Sequence, residues 1–211
     1  VLEQHKNSVT FVQRSDENTK RDFPFDYELK IKYTINGDTV TNEYTVTNTG
    51  EDKLPFVIGG HPAFNCPLAK NEKFEDYKVV FDKNITKPCL RPDHHTGLVN
   101  VFEKFDEMHG GDTLSLVHEL FEEKDALIFE NCEAKSATLI GKSGKGVKIE
   151  FQDMNNLLIW SAVGNAPFVA LEPWTGLASC NDEDGLFEHK RGMTVLEKDE
   201  TASFKFKITM I

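Results

Sequence analysis

Apolar and polar side chains alternate along two neighbouring stretches near the start of the chain. In the first stretch, 27–35, and in the second, 39–47, most apolar side chains fall on one face of an extended backbone. Asn36-Gly37 separates them, and this dipeptide tolerates the positive φ angles of a two-residue hairpin turn. A period of two is typical of an antiparallel sheet with one buried face. The pattern therefore predicts a β-hairpin.

Further strand signals follow towards the C-terminus. Alternation returns at 147–151 and 204–208, whereas 157–161 and 168–171 are continuous apolar runs. Continuous runs of this length are typical of central strands that are buried on both faces. Helical spacing is confined to 116–121, which predicts one short helix. We therefore predict an all-β fold, a mostly antiparallel sandwich with few short helices.

A polar stretch between residues 82 and 112 shows little periodicity and is interpreted as long loops, which on a β scaffold often border a ligand site. It contains Asp93-His94-His95, a cluster that invites a metal interpretation. However, no third ligand stands at zinc-type spacing, and adjacent histidines rarely face one ion. We therefore expect no metal site at this cluster.

Charge and cysteine content narrow the choice of partners. The 24 basic and 35 acidic residues give a net charge of −11, which opposes binding to nucleic acid or to an anionic membrane surface. No apolar run approaches the ~20 residues that cross a bilayer. The negative net charge does not oppose the binding of a neutral small molecule. The four cysteines are scattered and no signal peptide is visible, which favours reduced thiols in the cytoplasm.

A glutamate that is a candidate catalytic residue follows the apolar run 168–171. Because Pro173 cannot donate to a sheet ladder, the strand is expected to end or bulge there, leaving Glu172 at a sheet rim. Partial burial raises the pKa of a carboxyl group and makes it a better general base. Trp174 offers a flat surface for the apolar face of a pyranose. The alternative is a turn glutamate paired with a surface cation.

Two weaker candidates also stand beside predicted strands. His61 follows Gly59-Gly60, which allows close backbone approach, and an imidazole there can donate a proton near neutral pH. The alternative is a histidine bonded within a tight turn. Asp125 precedes the apolar run 126–129, where its carboxylate can accept hydrogen bonds from ligand hydroxyls or can simply cap a turn.

Five segments, taken in order, resemble the aldose 1-epimerase (galactose mutarotase) superfamily, most closely its LacX-like branch. They are 22–29 (DFPFDYEL), 58–68 (IGGHPAFNCPL), 74–77 (FEDY), 125–129 (DALIF) and 168–176 (FVALEPWTG). Ordered matches over most of the chain are more specific than any single motif. The resemblance implies one galactose mutarotase-like supersandwich domain over residues 1–211 that works without a cofactor.

The resemblance also implies a role for each candidate residue. Glu172 would take the proton from the C1 hydroxyl of an aldohexose such as galactose or glucose, and His61 would protonate the ring oxygen. The ring would open, the C1–C2 bond would rotate, and closure would give the other anomer. Asp125, Asn65 and Trp174 would bind the sugar. Acid–base ring opening requires two groups of different pKa at one O–C–O unit.

One departure from the family pattern affects these expectations. Family members carry an additional block of strands, with a His-Gly element and an arginine that contact the sugar, and no counterpart stands in this sequence before Val1. We therefore expect an N-terminally truncated domain with long exposed sheet edges, which favours pairing in a homo-oligomer. Two alternatives stay open: a non-catalytic carbohydrate-binding or sensing domain, and a hexose-6-phosphate mutarotase with converging Lys and Arg side chains.

Overall fold

A computed structural model describes residues 1–93, 95–122 and 125–211, and antiparallel strands dominate them. The larger sheet contains nine strands, in the spatial order β1 (Glu3–His5), β2 (Ser8–Arg14), β3 (Tyr27–Asn36), β4 (Thr39–Asn48), β17 (Thr201–Met210), β13 (Gly146–Glu150), β12 (Ser136–Gly141), β7 (Tyr77–Phe81) and β10 (Thr113–Ser115). The smaller sheet contains six, in the order β6 (Ala63–Asn65), β15 (Phe168–Trp174), β14 (Asn156–Trp160), β11 (Leu127–Phe129), β8 (Cys89–Pro92) and β9 (Val99–Phe105).

The remaining elements are short. Strands β5 (Leu54–Phe56) and β16 (Thr194–Leu196) form a separate two-stranded ribbon. Helical structure in the described ranges consists of one α-helical turn, α1 (Glu119–Glu122), and three 3₁₀ turns. The 3₁₀ turns are Thr19–Arg21, Phe74–Asp76 and Phe187–His189. None of these helices has the length and apolar character needed to cross a bilayer. The all-β, mostly antiparallel architecture predicted from the alternation pattern is confirmed.

The predicted hairpin is present, but its two turn residues are Gly37 and Asp38 rather than Asn36 and Gly37, because Asn36 still pairs with Thr39. Strands β3 and β4 pair from Tyr27 opposite Asn48 to Asn36 opposite Thr39, and Gly37 has a φ of +59°. The alternating segments near 147 and 204 form β13 and β17, which are neighbours in the larger sheet. The continuous apolar runs form β14 and β15, neighbours in the smaller one.

Of two predictions made from weak periodicity, one is wrong and the other is only partly correct. The polar stretch 82–112 contains β8 and β9, which pair with each other across a register shift between Cys89 and Arg91. That irregularity breaks the simple alternation by which a strand is detected. The short helix predicted over 116–121 is present as α1 but begins only at Glu119, because the Leu116 amide donates to the Tyr77 carbonyl and so extends the pairing of β10 with β7.

The core lies between the two sheets. Alternate side chains of each sheet point into it, and those that are fully shielded from solvent include Val79, Ala137, Leu139, Ile149, Leu127, Leu157, Ile159, Val169 and Leu171. The opposite face of the smaller sheet carries a second, smaller apolar cluster that includes Leu90, Ile128 and Leu158. Because side chains alternate along a strand, residues next to core positions on β15 point towards this second face.

One part of the hairpin face is not buried as the alternation predicts. Phe11, Tyr33 and Ile35 share a face of β2 and β3 and are 42%, 38% and 56% exposed. The edge strand β1 pairs only with residues 8–10 of β2, which leaves the rest of β2 as a sheet edge within the described ranges. The terminal strands of the larger sheet, β1 and β10, are each three residues long, and the uncovered part of β2 adds to one of these edges.

A buried asparagine secures the chain where β15 ends. The Asn156 side-chain amide donates to the carbonyls of Trp174, Thr175 and Gly176 at 2.9–3.3 Å, and its oxygen accepts the Asn131 amide at 2.9 Å. Asn156 is only 3% exposed. These bonds hold together the end of β15 and the loop that follows β11, because water cannot replace a buried partner.

Replacing this asparagine tests its contribution. Asn156→Ala leaves several buried carbonyls and one amide without a partner and should lower the free energy of unfolding by about 2–3 kcal/mol. Urea denaturation of both proteins measures the difference. Asn84→Ala, at an exposed position, serves as the control and should change the stability by less than about 0.5 kcal/mol. Equal small losses in both variants would contradict a structural role for Asn156.

Candidate active site

The candidate site lies at the β6 edge of the smaller sheet and depends on one pairing register. Strand β6 places Ala63 opposite Ala170 of β15, and an isolated antiparallel bridge places Gly59 opposite Trp174. Both contacts belong to the same register. Since residues two apart share a face of a strand, the residues midway between these pairs also face one another.

His61 and Glu172 are the two residues that lie midway between these pairs and face one another. The Nε2 atom of His61 lies 3.3 Å from Oε1 of Glu172. The glutamate side chain is 3% exposed, whereas the histidine side chain is 58% exposed. The structure therefore brings together the two residues on which the sequence interpretation depended, with the imidazole between solvent and a buried carboxylate.

The strand that carries Glu172 does not end at Pro173, contrary to the sequence prediction. Strand β15 continues to Trp174, and Pro173 lies opposite Leu157. On the other side, the Gly60 amide donates to the Pro173 carbonyl at 3.0 Å. The Gly60 carbonyl cannot receive a bond from proline and instead accepts the Trp174 indole N–H at 3.1 Å. This side-chain donor replaces the missing backbone donor.

The two glycines before His61 are required by close packing. A Cβ atom on Gly59 would lie 2.3 Å from Cδ1 of Trp174, and one on Gly60 would lie 2.5 Å from Cε1 of Phe206. A side chain on Gly59 would push the segment away from β15, and one on Gly60 would push it away from β17. The close approach predicted from the Gly59-Gly60 pair is present, and it presses the histidine backbone against the strand that holds the carboxylate.

The environment of Glu172 shifts its proton affinity. Burial, and to a smaller extent the negative charge of Asp125, together raise the pKa of this carboxyl from 4.5 to about 7. Both effects act in one direction because each disfavours the ionised carboxylate. A carboxyl group with such a pKa exchanges its proton near neutral pH, as a general base requires.

Asp125 lies beside the pair and is held by a residue that the sequence interpretation missed. The Nε1–H of Trp160 donates to Oδ1 of Asp125 at 2.5 Å. Trp160 lies opposite Ala170 on β14 and therefore shares a face with Glu172. The sequence contained one signal for Trp160, its place near the end of the apolar run 157–161. Trp160 follows Leu158 by two residues, so the two side chains must share a face of the strand.

Asn65 and Trp174 occupy opposite ends of the same register. Asn65 ends β6, is exposed, and lies opposite Phe168, so alternation directs its side chain to the face that carries Glu172. Trp174 lines the cleft, while its indole N–H is engaged by the Gly60 carbonyl. All five residues predicted from the sequence therefore share one face of the smaller sheet or border it.

A cleft of about 360 Å³ opens beside the imidazole. Its lining is mainly apolar and consists of Val57, Ile58, Gly59, Gly60, His61, Trp174, Gly176, Leu177 and Ala178. No lysine or arginine belongs to this lining. The nearby Arg191 guanidinium contacts the carboxylates of Glu130 and Asp182, and the Lys190 ammonium contacts that of Glu183.

The described ranges contain no cluster of three or more His, Cys, Asp or Glu side chains that could hold a metal ion. The Asp93-His94-His95 cluster falls partly outside these ranges, because His94 is not described. The four cysteines are unpaired and buried. Burial raises the pKa of the Cys66 thiol to about 12 and that of Cys89 to about 11, which leaves both protonated near neutral pH.

Known proteins are similar to this chain in both sequence and fold. A family model described as aldose 1-epimerase matches residues 1–209. The protein LacX (plasmid) of Lactococcus lactis subsp. lactis is 35% identical over 213 residues, which cover 99% of this chain and 70% of LacX. These matches confirm the resemblance indicated by the five ordered segments, including its LacX-like branch.

Two solved structures share the architecture over almost the whole chain. A galactose mutarotase related enzyme from Lactobacillus acidophilus superimposes with a TM-score of 0.90 at 26% identity, over 100% of this chain and 70% of the other. A galactose mutarotase-like protein from Lactobacillus casei superimposes with a TM-score of 0.87 at 29% identity, over 99% and 71%. The galactose mutarotase-like β-sandwich is thereby confirmed.

The raised pKa of Glu172 predicts a pH-dependent stability difference. The folded protein holds this proton more tightly than the unfolded chain, so wild-type stability should fall as pH rises from about 4.5 to about 7. Glu172→Gln removes the buried charge and should be more stable above pH 7, by at most about 3 kcal/mol. Below pH 4.5 the two proteins should match. Thermal unfolding at pH 4 and pH 8 measures this, and a variant less stable at pH 8 would contradict it.

Proposed function

The chain belongs to the aldose 1-epimerase family, and we propose that it interconverts the α and β anomers of a neutral aldohexose such as galactose or glucose. One observation carries the proposal: a solvent-facing imidazole and a buried carboxylate of raised pKa lie 3.3 Å apart on one open face. Two groups this close can reach the two oxygens bonded to a single anomeric carbon.

The first half of the reaction opens the ring. Glu172 takes the proton from the C1 hydroxyl, and the electrons form the C1 carbonyl as the bond between C1 and the ring oxygen breaks. His61, as the imidazolium, gives its Nε2 proton to the departing ring oxygen, which becomes the C5 hydroxyl. The product is the open-chain aldehyde, with a neutral carboxyl group and a neutral imidazole.

The second half reverses these transfers on the other face of the aldehyde. After rotation about C1–C2, His61 takes the proton of the C5 hydroxyl, that oxygen attacks C1, and Glu172 returns its proton to the former carbonyl oxygen. Both residues regain their starting states, so the cycle needs no further reactant. Their direct contact supports this exchange, because neither group must move far between the two oxygens.

The surroundings of the pair support a neutral sugar as substrate. The Asp125 carboxylate would accept hydrogen bonds from ring hydroxyls, Asn65 would contact the sugar from the strand edge, and the Trp174 indole borders the cleft. The cleft lining contains no cation for a phosphate group, and the nearby Lys190 and Arg191 are paired with carboxylates. This lining favours a free aldose over a hexose 6-phosphate.

The proposal predicts the effect of removing either proton-transfer group. Wild-type protein should accelerate the exchange of galactose or glucose anomers above the spontaneous rate, measured by NMR magnetisation transfer. Glu172→Gln and His61→Asn should each lower kcat by roughly 10²- to 10⁴-fold, because each removes one general acid–base group. Glu17→Gln, an exposed carboxylate away from the cleft, is the matched control and should behave as wild type.

A different result would indicate a different function. If wild-type protein binds sugar but leaves the spontaneous exchange rate unchanged, the chain acts as a carbohydrate-binding or sensing domain. Acceleration that survives in both Glu172→Gln and His61→Asn would show that other groups perform the proton transfers.

The pH profile provides a separate test. Because Glu172 must be ionised to act as the base, kcat/KM should fall as pH falls through about 7. Asp125→Asn removes a negative charge that raises the pKa of Glu172, so the acidic limb of the profile should move to lower pH. A limb that stays in place, or moves to higher pH, would show that this limb does not report Glu172.

A further inference from the structure

Trp160 contacts two of the proposed site residues at once. Its indole N–H donates to Oδ1 of Asp125 at 2.5 Å, and its ring meets the His61 imidazole edge to face at 5.7 Å with an interplanar angle of 88°. A third contact with Phe168, at 5.4 Å between ring centroids, supports the indole from the neighbouring strand. The indole therefore connects the Asp125 carboxylate to the proposed acid.

The backbone at Asp125 has an uncommon conformation. Asp125 has a φ of +54°, in the left-handed region that residues other than glycine rarely adopt. Its amide donates to the Phe121 carbonyl at 3.2 Å, and its carboxylate accepts the indole N–H. A residue in an uncommon conformation stays there only when its surroundings determine it, and here the indole bond fixes the carboxylate itself.

The bond to the indole uses one acceptor position of the carboxylate and leaves the others for a ligand. The second position on Oδ1 and both positions on Oδ2 can still accept bonds from sugar hydroxyls. The small Ala170 lies opposite Trp160 in the strand pair, which leaves the indole room to lie beside the carboxylate. The His61 side chain is 58% exposed and would otherwise rotate freely. Its aromatic contact with Trp160 limits that rotation.

We propose that Trp160 is a positioning residue of the site: its N–H orients the Asp125 carboxylate towards the sugar, and its ring orients His61 towards the ring oxygen. This inference rests on the proposed function, and it assigns Trp160 a role distinct from that of Trp174. The Trp174 indole N–H bonds to the backbone carbonyl of Gly60 and so supports the strand rather than a site carboxylate.

A double-mutant cycle tests the link between Trp160 and Asp125. Trp160→Phe keeps an aromatic ring but removes the N–H, and it should lower kcat/KM about 10-fold, mainly by raising KM. Asp125→Ala should cause a larger loss, and the double variant should be no worse than Asp125→Ala alone. The matched cycle with Trp174→Phe should instead be additive, because that indole makes no bond to Asp125. Additive losses for Trp160→Phe, or no loss at all, would overturn the inference.

A second readout requires no turnover. The chain contains two tryptophans, so its ¹H–¹⁵N spectrum should show two indole cross-peaks, which the two Trp→Phe variants assign. Asp125→Ala should shift the Trp160 cross-peak and leave that of Trp174 in place. An unmoved Trp160 cross-peak would overturn the inference even if activity falls. Wild-type protein without anomer exchange would overturn the proposed function, and the cross-peaks alone would then decide whether Trp160 holds Asp125.

Discussion

The cross-strand pairing of residues 59–65 with β15 is the constraint on which the site depends. This register sets a solvent-facing histidine opposite a buried glutamate, and a shift of the 59–65 segment by one residue would turn the His61 side chain to the other face. Several features maintain it: Gly59 allows contact with the Trp174 indole, that indole bonds to Gly60, and Asn156 ties down the chain beyond. The juxtaposition of the two proposed proton-transfer groups is thus a consequence of strand pairing.

Burying a carboxylate beside a second one costs stability, and the proposed chemistry explains why the arrangement persists. A group optimised for stability would be solvated or paired with a lysine or arginine, and its pKa would stay low. Glu172 instead has its pKa raised to about 7, next to an imidazole and Asp125. Stability given up at a functional site is common, because proton transfer at neutral pH requires a group that is neither fully ionised nor fully protonated.

The strands were largely predictable, because alternation and a turn that includes Gly37 determine β3 and β4 locally, although the turn lies one residue later than Asn36-Gly37. The pairing of His61 with Glu172 was not, since no local signal specifies which of many strands lie side by side. Only the resemblance to a family connected them. The rule that proline ends a strand failed at Pro173, where the indole of the next residue, Trp174, donates to the Gly60 carbonyl in place of the missing backbone N–H. Trp160 was overlooked for a related reason: its value lies in partners distant in sequence, Asp125 and His61.

The most direct test of the central claim is a crystal structure of Glu172→Gln with a bound aldohexose. The account predicts that the anomeric carbon lies over the pair, with the C1 hydroxyl oxygen within about 3 Å of the residue 172 side chain and the ring oxygen within similar reach of His61 Nε2. Asp125 should contact ring hydroxyls. A sugar bound with its anomeric carbon turned away from both residues, or bound on another face of the sandwich, would contradict it.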